Sequence, residues 1–409
     1  MQNIFISSLL LLAISLNSCK NGQVPSEQNE GTVPNITGQN PETANPNTEI
    51  KPAFKGQTRI AGVSTSQPYN VDILNDKLGS PWAIIELPDS RLLITEKSGF
   101  MQIVSNDGKT ISKIQGLPKV DTQSQGGLLD VAIDPSFATN RMIYWTFSEP
   151  YSQGNHTAVA KGKLSADEKT IENPTVIFRA TPTYNGKLHY GSRIVFDKSG
   201  NMFISTGERS DLQTRPLAQD QSTYLGKVLY ITKEGKPAVT QSSPAGWNPE
   251  IYSTGHRNPQ GLAIHPVTGD LWESEMGPRG GDEINLIKSG KNYGWPTITY
   301  GEEYSGNTIG EGIGQKDGLE QPVYYWDPSV STSGIDFYTG DIDEWKNNLM
   351  VGCLSGEKII RLVIESNKVV GEEWLLTSYG ERFRDVLSAS DGNLYAVTDS
   401  GKLFRVSIK

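Results

Sequence analysis

The feature that most constrains the fold is an internal repeat. One pattern recurs six times: a small or apolar start, an alternating apolar strand, a turn carrying Pro, Asp or Gly, and a second apolar strand. The copies start at Pro81, Gly127, Ser192, Gly261, Gly334 and Asp385, the fifth being degenerate, at intervals of 46, 65, 69, 73 and 51 residues. Each interval accommodates a four-stranded sheet with its loops, and no long helical period lies between copies. Radial repetition of such sheets protects strand edges by closing a ring. The repeat therefore predicts an all-β fold, a six-bladed β-propeller of four-stranded antiparallel blades, closed by pairing Tyr69–Leu74 with the last blade. A pair of β-sandwiches would also alternate, but would not repeat one hairpin six times.

Upstream of the repeats the chain changes character twice. An apolar run from Ile4 to Leu16 ends in Asn17-Ser18-Cys19, which reads as a lipoprotein signal over residues 1–19 with Cys19 as the lipidated residue. The run of about 13 apolar residues is too short for a bilayer that needs about 20. Residues 20–65 are rich in Asn, Pro, Thr, Glu and Gly; such a segment buries too little to offset its ordering entropy and reads as a disordered tether. The propeller domain then spans 66–409, exported and anchored to a bacterial cell membrane, facing periplasm or surface. Beyond Cys19 only Cys353 remains, so the mature chain has no internal disulfide and no Cys-based metal site. A net charge of −9 makes nucleic acid an unsuitable partner.

In a propeller the first strand of each blade lines the central channel, so the residues just before it crowd one mouth. Gln123, Ser124 and Gln125 precede the second copy; His189 and Tyr190 precede the third, with Arg193 just inside. The run His256-Arg257-Asn258-Pro259-Gln260 precedes the fourth, Ser329, Ser331, Thr332 and Ser333 the fifth, and Glu381-Arg382-Phe383-Arg384 the sixth. Five clusters distant in sequence thus converge, and a concave site with convergent polar groups is a ligand site. Several arginines in one mouth imply an anion with more than one carboxylate or phosphate, which their fixed donor forks match.

The second strands of the first four copies end in Glu96, Glu149, Glu208 and Glu275, and the fourth runs on into Met276-Gly277-Pro278-Arg279-Gly280-Gly281-Asp282-Glu283. Gly and Pro expose carbonyl oxygens and the acids add charge, which suits a hard cation such as calcium, or simply a tight acidic turn. No GxGxxG after a strand, GxxxxGK[ST], GxSxG or HExxH occurs, so a Rossmann-bound nicotinamide is excluded.

The runs Gly255-His256-Arg257-Asn258-Pro259-Gln260-Gly261-Leu262, Gly277-Pro278 with Asp282-Glu283-Ile284-Asn285, Asn292-Tyr293-Gly294-Trp295-Pro296, Gln125-Gly126-Gly127-Leu128-Leu129 and Arg382-Phe383-Arg384-Asp385-Val386 resemble the soluble quinoprotein glucose/sorbosone dehydrogenase family. They look closest to its aldose sugar dehydrogenases, and the similarity runs in order over about residues 70–409. The resemblance implies pyrroloquinoline quinone (PQQ), a flat ortho-quinone with three carboxylates, and Ca2+ as cofactors. It implies an aldose sugar as substrate, oxidised at the anomeric hydroxyl to a lactone by hydride transfer, and an electron acceptor that the chain does not identify. Carried over residue by residue, Arg257 and Asn258 face the quinone oxygen, Arg382 and Arg384 hold carboxylates, and Gln125 and Ser329 join the cofactor pocket. The carbonyls of Gly277 and Pro278 ligate the calcium, with Asp282 near its waters. A second, structural calcium involves Glu283, Tyr293 and Glu303. His189 falls at the catalytic base and Glu208 at its carboxylate partner, while His156, His256 and His265 have surface or core roles. Two positions depart from the family pattern. Ser355 stands where the family commonly has a cofactor-binding Lys, leaving that anchor to Lys358 or losing it, and Leu188 precedes the base where glucose-oxidising members carry Asp.

Two other functions are compatible with a propeller. A calcium-dependent lactonase needs a cage of side-chain carboxylates on the axis and has no use for Arg382 and Arg384. A non-catalytic glycan-binding lipoprotein would use exposed aromatics such as Trp82 and Trp326.

Overall fold

The computed structural model describes residues 35–238 and 244–409. The leader, Cys19 and the first part of the segment expected as a tether lie outside the described residues. Six four-stranded antiparallel sheets are arranged as a six-bladed β-propeller. Their innermost strands are Pro81–Glu86, Leu128–Ile133, Gly191–Phe196, Pro259–Ile264, Thr332–Phe337 and Phe383–Ser388, each within two residues of a repeat start. Blade 3 carries a fifth, parallel strand, Lys291–Asn292. Blade 6 takes its outer strand from the other end of the chain: Tyr69–Asn75 pairs antiparallel with Leu403–Ile408, the predicted closure.

The innermost strands share a second device. In all six, the pairing with the second strand slips at the mouth end, between Pro81 and Ala83 in blade 1 and at the equivalent step elsewhere. A bulge of this kind bends the strand and leaves a backbone group unpaired. A second-strand hydroxyl takes it up. The Asp130 N–H donates to Thr146 Oγ1 (3.0 Å), which donates to the Ser192 carbonyl of the next blade (2.6 Å). Thr95 repeats the tie between blades 1 and 2, and Ser205 between blades 3 and 4. Acids add a third set of links: Asp130, Asp336 and Asp385 accept the N–H groups of Ile194, Ser388 and Ile84 on neighbouring blades.

The tether expectation fails for residues 35–65. Asn35–Ile36 pairs with Val63–Ser64, and the segment between lies against blades 4 and 5. Asp327 accepts the N–H groups of Asn47 and Thr48 and the Asn47 side-chain amide. Arg59 donates to the Asp327 carbonyl, and fully buried Gln57 donates to Pro322 O. The segment has little apolar surface of its own, but carboxylates of the blades satisfy its backbone. Charge-assisted hydrogen bonds of this kind are the strong ones.

Candidate active site

The channel is closed on the mouth side by Arg193. Its Nη1 lies 3.2 Å from Asp130 and 3.0 Å from Asp385, its Nε donates to Gln260 O, and its guanidinium sits 4.2 Å over the Trp82 ring. Above this plug opens a cavity of about 210 Å³ whose lining includes Gln125, His189, Arg257, Gly277, Arg382 and Arg384. Five of the mouth clusters expected from the sequence therefore meet, the fifth through Ser331.

His189 is 6 % exposed, and its Nδ1 lies 2.7 Å from Glu208 Oε1. A carboxylate only accepts hydrogen bonds, so Nδ1 carries the proton. Burial, reinforced by the charge of Arg257, pushes the imidazole down to about 4 against the pull of Glu208. At neutral pH the ring is therefore uncharged, with a free lone pair on Nε2. The pre-strand loops fix it: the His189 N–H donates to Gln125 Oε1 at 2.7 Å, and Glu208 is itself held by the Ser210 N–H.

Arg257 is 5 % exposed and donates through Nη1 to the Met276 and Gly277 carbonyls, at 2.8 and 2.6 Å. Its Nε is buried with no hydrogen-bond partner. Arg384 is gripped by Asp399 through Nε (2.9 Å) and by Gln260 through Nη1 (3.0 Å), while half-exposed Arg382 shares the same aspartate. Lys97 adds a fourth cation to the lining. Cationic groups thus surround a small cavity, and among the described residues Asp399 is the carboxylate that pairs with both arginines of the mouth. An anion with several carboxylates fits this donor set.

Several expected site residues do other work. Asn258 is fully buried, accepts the Gly191 N–H and donates to Met276 Sδ, so its amide braces two blades beneath the cavity. Ser329 accepts from Gly280 N–H and donates to Pro278 O, shaping that loop, whereas Ser331 faces the cavity and is hydrogen-bonded to Ser355. Lys358 is buried with its ammonium 3.4 Å over the Trp374 ring, on the outer side of blade 5, and does not line the cavity. Asp282 accepts the N–H groups of Gly277, Val330 and Ser331 and so organises the Gly277-Pro278 turn. The carbonyls of that turn each have two lone pairs; Arg257 takes one at Gly277 and Ser329 one at Pro278, leaving one on each for a hard cation.

The four strand-end glutamates do not converge. Glu96 accepts the Gly79 and Ser80 N–H groups, Glu149 pairs with Arg179, and Glu208 holds His189. Glu275 belongs to a buried group with His256 and Glu273, whose ligand atoms lie within 4.8 Å of one another. Asn285 donates to Glu273 and Glu283, and its own Oδ1 has no partner. Burial pulls His256 down, but the two glutamates outweigh it and hold its pKa at about 9. His256 is thus a cationic core residue. Glu303 is bound by both terminal nitrogens of Arg215, and the Tyr293 hydroxyl donates to Leu286 O. The side chains of the expected second calcium set therefore each already have a hydrogen-bond partner, Glu283 through Asn285.

Trp82 and Trp326 are buried, not exposed as a glycan platform requires. Sequence reasoning missed Lys97, Tyr304 and Asp399. The first directly follows Glu96 at a strand end and the last follows Thr398 at the equivalent place in blade 6, a positional signal available in the repeat.

The family model for glucose/sorbosone dehydrogenase matches residues 78–405. Aldose sugar dehydrogenase YliI of Escherichia coli is 41% identical over 349 residues, covering 83% of this chain and 92% of the relative. Quinoprotein glucose dehydrogenase B of Acinetobacter calcoaceticus is 27% identical over 82% of this chain and 86% of its own. The PQQ-bound structure of aldose sugar dehydrogenase from Streptomyces coelicolor superposes with a TM-score of 0.70 at 27% identity, over 85% of this chain and all of that one. By fold, by the order of its motifs and by these matches, the chain belongs to the glucose/sorbosone dehydrogenase family of sugar-oxidising oxidoreductases.

Proposed function

We propose that this protein oxidises the anomeric hydroxyl of an aldose to a lactone, with PQQ and calcium bound over the channel mouth. The observation that carries the reading is a neutral histidine, oriented by Glu208 at 2.7 Å, in the wall of an arginine-rich cavity. His189 Nε2 takes the hydroxyl proton, and Glu208 stabilises the imidazolium that results. Bound at this mouth, the quinone supplies a two-electron acceptor for the hydride leaving C1, and calcium on the Gly277 and Pro278 carbonyls would polarise it. Arg384 and Arg382 hold carboxylates, and Arg257, with its unpartnered Nε, faces developing negative charge. Lys358 and Ser329 drop out of the cofactor set in favour of Ser331 and Lys97. A second, structural calcium near Glu283 would draw on Glu273, whose buried Oε1 has no hydrogen-bond partner, rather than on the side chains of Tyr293 and Glu303. The lactonase reading is disfavoured because Arg193 already engages the axial carboxylates Asp130 and Asp385.

Purified protein should be treated with chelator, then given PQQ with and without calcium. Aldose-dependent bleaching of the quinone absorbance is expected only with both; full turnover in metal-free protein would remove calcium from the site. Export and lipidation at Cys19 are supported by the run before it, and Cys19→Ala should release the protein from membrane fractions.

A further inference from the structure

The two carbonyls proposed to hold calcium, at Gly277 and Pro278, lie on the turn 277–281, which is gripped between two walls. On one side the Gly280 N–H donates to Ser329 Oγ and the Gly281 N–H to Trp326 O, both at 2.8 Å, and Ser329 Oγ donates to Pro278 O at 3.1 Å. On the other, Arg279 and Glu302 exchange both backbone hydrogen bonds at 3.0 Å. Gly301 lies so close that a Cβ there would meet Gly280 O at 2.2 Å. The first wall, 326–329, continues the outer strand of blade 4, Tyr324–Trp326; the second, 300–302, belongs to the loop between that strand and Lys291–Asn292. The rings of Tyr300 and Tyr325 stack at 3.8 Å, but apolar attraction is non-directional. Hydrogen bonds must set the spacing of the walls.

Segment 35–65 supplies them. Thr48 Oγ1 lies 3.1 Å from Tyr300 O on one wall and 3.2 Å from Asp327 Oδ2 on the other, so its single proton is shared across the gap. The Thr48 N–H, the Asn47 N–H and the Asn47 side-chain amide also donate to the Asp327 carboxylate, at 3.0, 2.9 and 2.9 Å. Arg59 donates to the Asp327 carbonyl at 2.7 Å, and Gln57 O accepts the Tyr325 N–H at 2.9 Å. Asp327 is 5 % exposed and backs directly on the turn: a Cβ at Gly280 would come within 2.6 Å of its Oδ1. Charge-assisted bonds to a buried carboxylate are short and strong. A shift of Asp327 would displace Ser329, two residues on, and with it Pro278 O.

Calcium holds its oxygen ligands at roughly 2.3–2.6 Å, so carbonyls that drift must be gathered at a cost when the ion binds, and carbonyls already fixed bind it more tightly. We infer that segment 35–65 is a clasp for the cation turn, with Asn47, Thr48 and Asp327 as positioning residues that preorganise the Gly277 and Pro278 carbonyls. The inference rests on the proposed calcium site and adds that its affinity is set in part by a segment lying before the matched residues 78–405. Arg257 and Asp282 hold the same turn at Gly277, so loss of the clasp loosens Pro278 and Gly280 first.

Thr48→Val removes the shared hydroxyl with little change of shape, and Thr48→Ser retains it. The segment keeps its other bonds to Asp327, so the variant folds, and a melting temperature close to the parent's in calcium-free protein checks this. Calorimetric titration of calcium in excess PQQ should show about fivefold weaker binding for Thr48→Val, the loss of one hydrogen bond, and binding within twofold of the parent for Thr48→Ser. In metal-free protein the Gly280 and Gly281 amides should exchange hydrogen severalfold faster in Thr48→Val, with the amides of Leu128–Ile133 unchanged. Equal calcium affinity in parent and Thr48→Val overturns the inference, as does exchange that quickens alike in turn and strand. If the parent binds no calcium, the functional reading fails, and exchange still decides the clasp: a turn as protected in Thr48→Val as in the parent rejects it.

Discussion

His189 adopts a backbone φ of +46°, in the left-handed region that disfavours a side chain with a Cβ by about 1–2 kcal/mol. Gln125 on its N–H and Glu208 on its ring hold that conformation, so strain and orientation coincide at the proposed base. His189→Gln should leave fold and cofactor affinity intact and slow sugar-driven quinone reduction by roughly 10²–10⁴, read by stopped flow; Glu208→Gln should slow it less. The pH dependence follows from burial. Because the imidazole is pushed down to about 4, the base is unprotonated throughout pH 5–8, and the rate should fall only as the pH approaches 4. A midpoint near 6.5, the ordinary histidine value, would show that the ring is not buried as described. Arg384 differs from Arg382 in being mostly buried, 13% against 47% side-chain exposure. Arg384→Ala should therefore weaken PQQ binding by about 2–4 kcal/mol and Arg382→Ala by clearly less, by calorimetric titration.

At the scale of elements, the hydroxyls at Thr95, Thr146 and Ser205 tie each bulged strand to the next blade. Thr146→Val keeps shape and β-propensity but leaves the Asp130 N–H and the Ser192 carbonyl without their partner. A loss of about 1–3 kcal/mol is expected in denaturant unfolding, and a neutral result would mean that water or a shifted strand replaces the hydroxyl. This tie also shows what was legible in the sequence. The blades were, because alternation and turn residues report the pleat directly, and each repeat start fell near an inner strand. Gln125, His189, Arg257, Arg382 and Arg384 were legible because the mouth precedes each inner strand. Asn258 and Ser329 were misplaced because the sequence places the loops before the inner strands at the mouth but not the direction of each side chain: Arg257 and Ser331 face the cavity, whereas Asn258 bonds Gly191 of the next blade and Ser329 the Pro278 turn. Residues 35–65 were misread because apolar content measures a segment's own core, whereas this one is held by Asp327, Glu372 and Glu373 of other strands. Asp399 was overlooked although it follows the second strand of its blade as Lys97 does, because it meets Arg384 only across the first hairpin of blade 6.

For the whole molecule the decisive side chain is Arg193. From blade 3 it reaches Asp130 of blade 2, Gln260 O of blade 4, Asp385 and Arg384 O of blade 6, and the Trp82 ring of blade 1. It is thus the hub at which five blades meet, just under the proposed cofactor. Two carboxylates share one cation there, and burial holds both carboxyls above the usual carboxylate range while Arg193 pulls each back down. An acid whose folded pKa is raised binds its proton more tightly when folded. Stability therefore declines as pH climbs from the unfolded value near 3.8 to the raised folded one, and the full penalty is present above it. Arg193→Met keeps the length of the side chain and removes the charge, so both carboxyls rise further and the declining stretch extends to higher pH. The variant should lose about 3–5 kcal/mol at pH 8, as expected when a buried pair loses one partner, and markedly less at pH 5, where protonation relieves the remaining acids. Thermal unfolding of parent and variant at the two pH values measures the difference. Equal losses at both would mean that Arg193 stabilises the ring by packing on Trp82 and by its carbonyl contacts, with the acids contributing little.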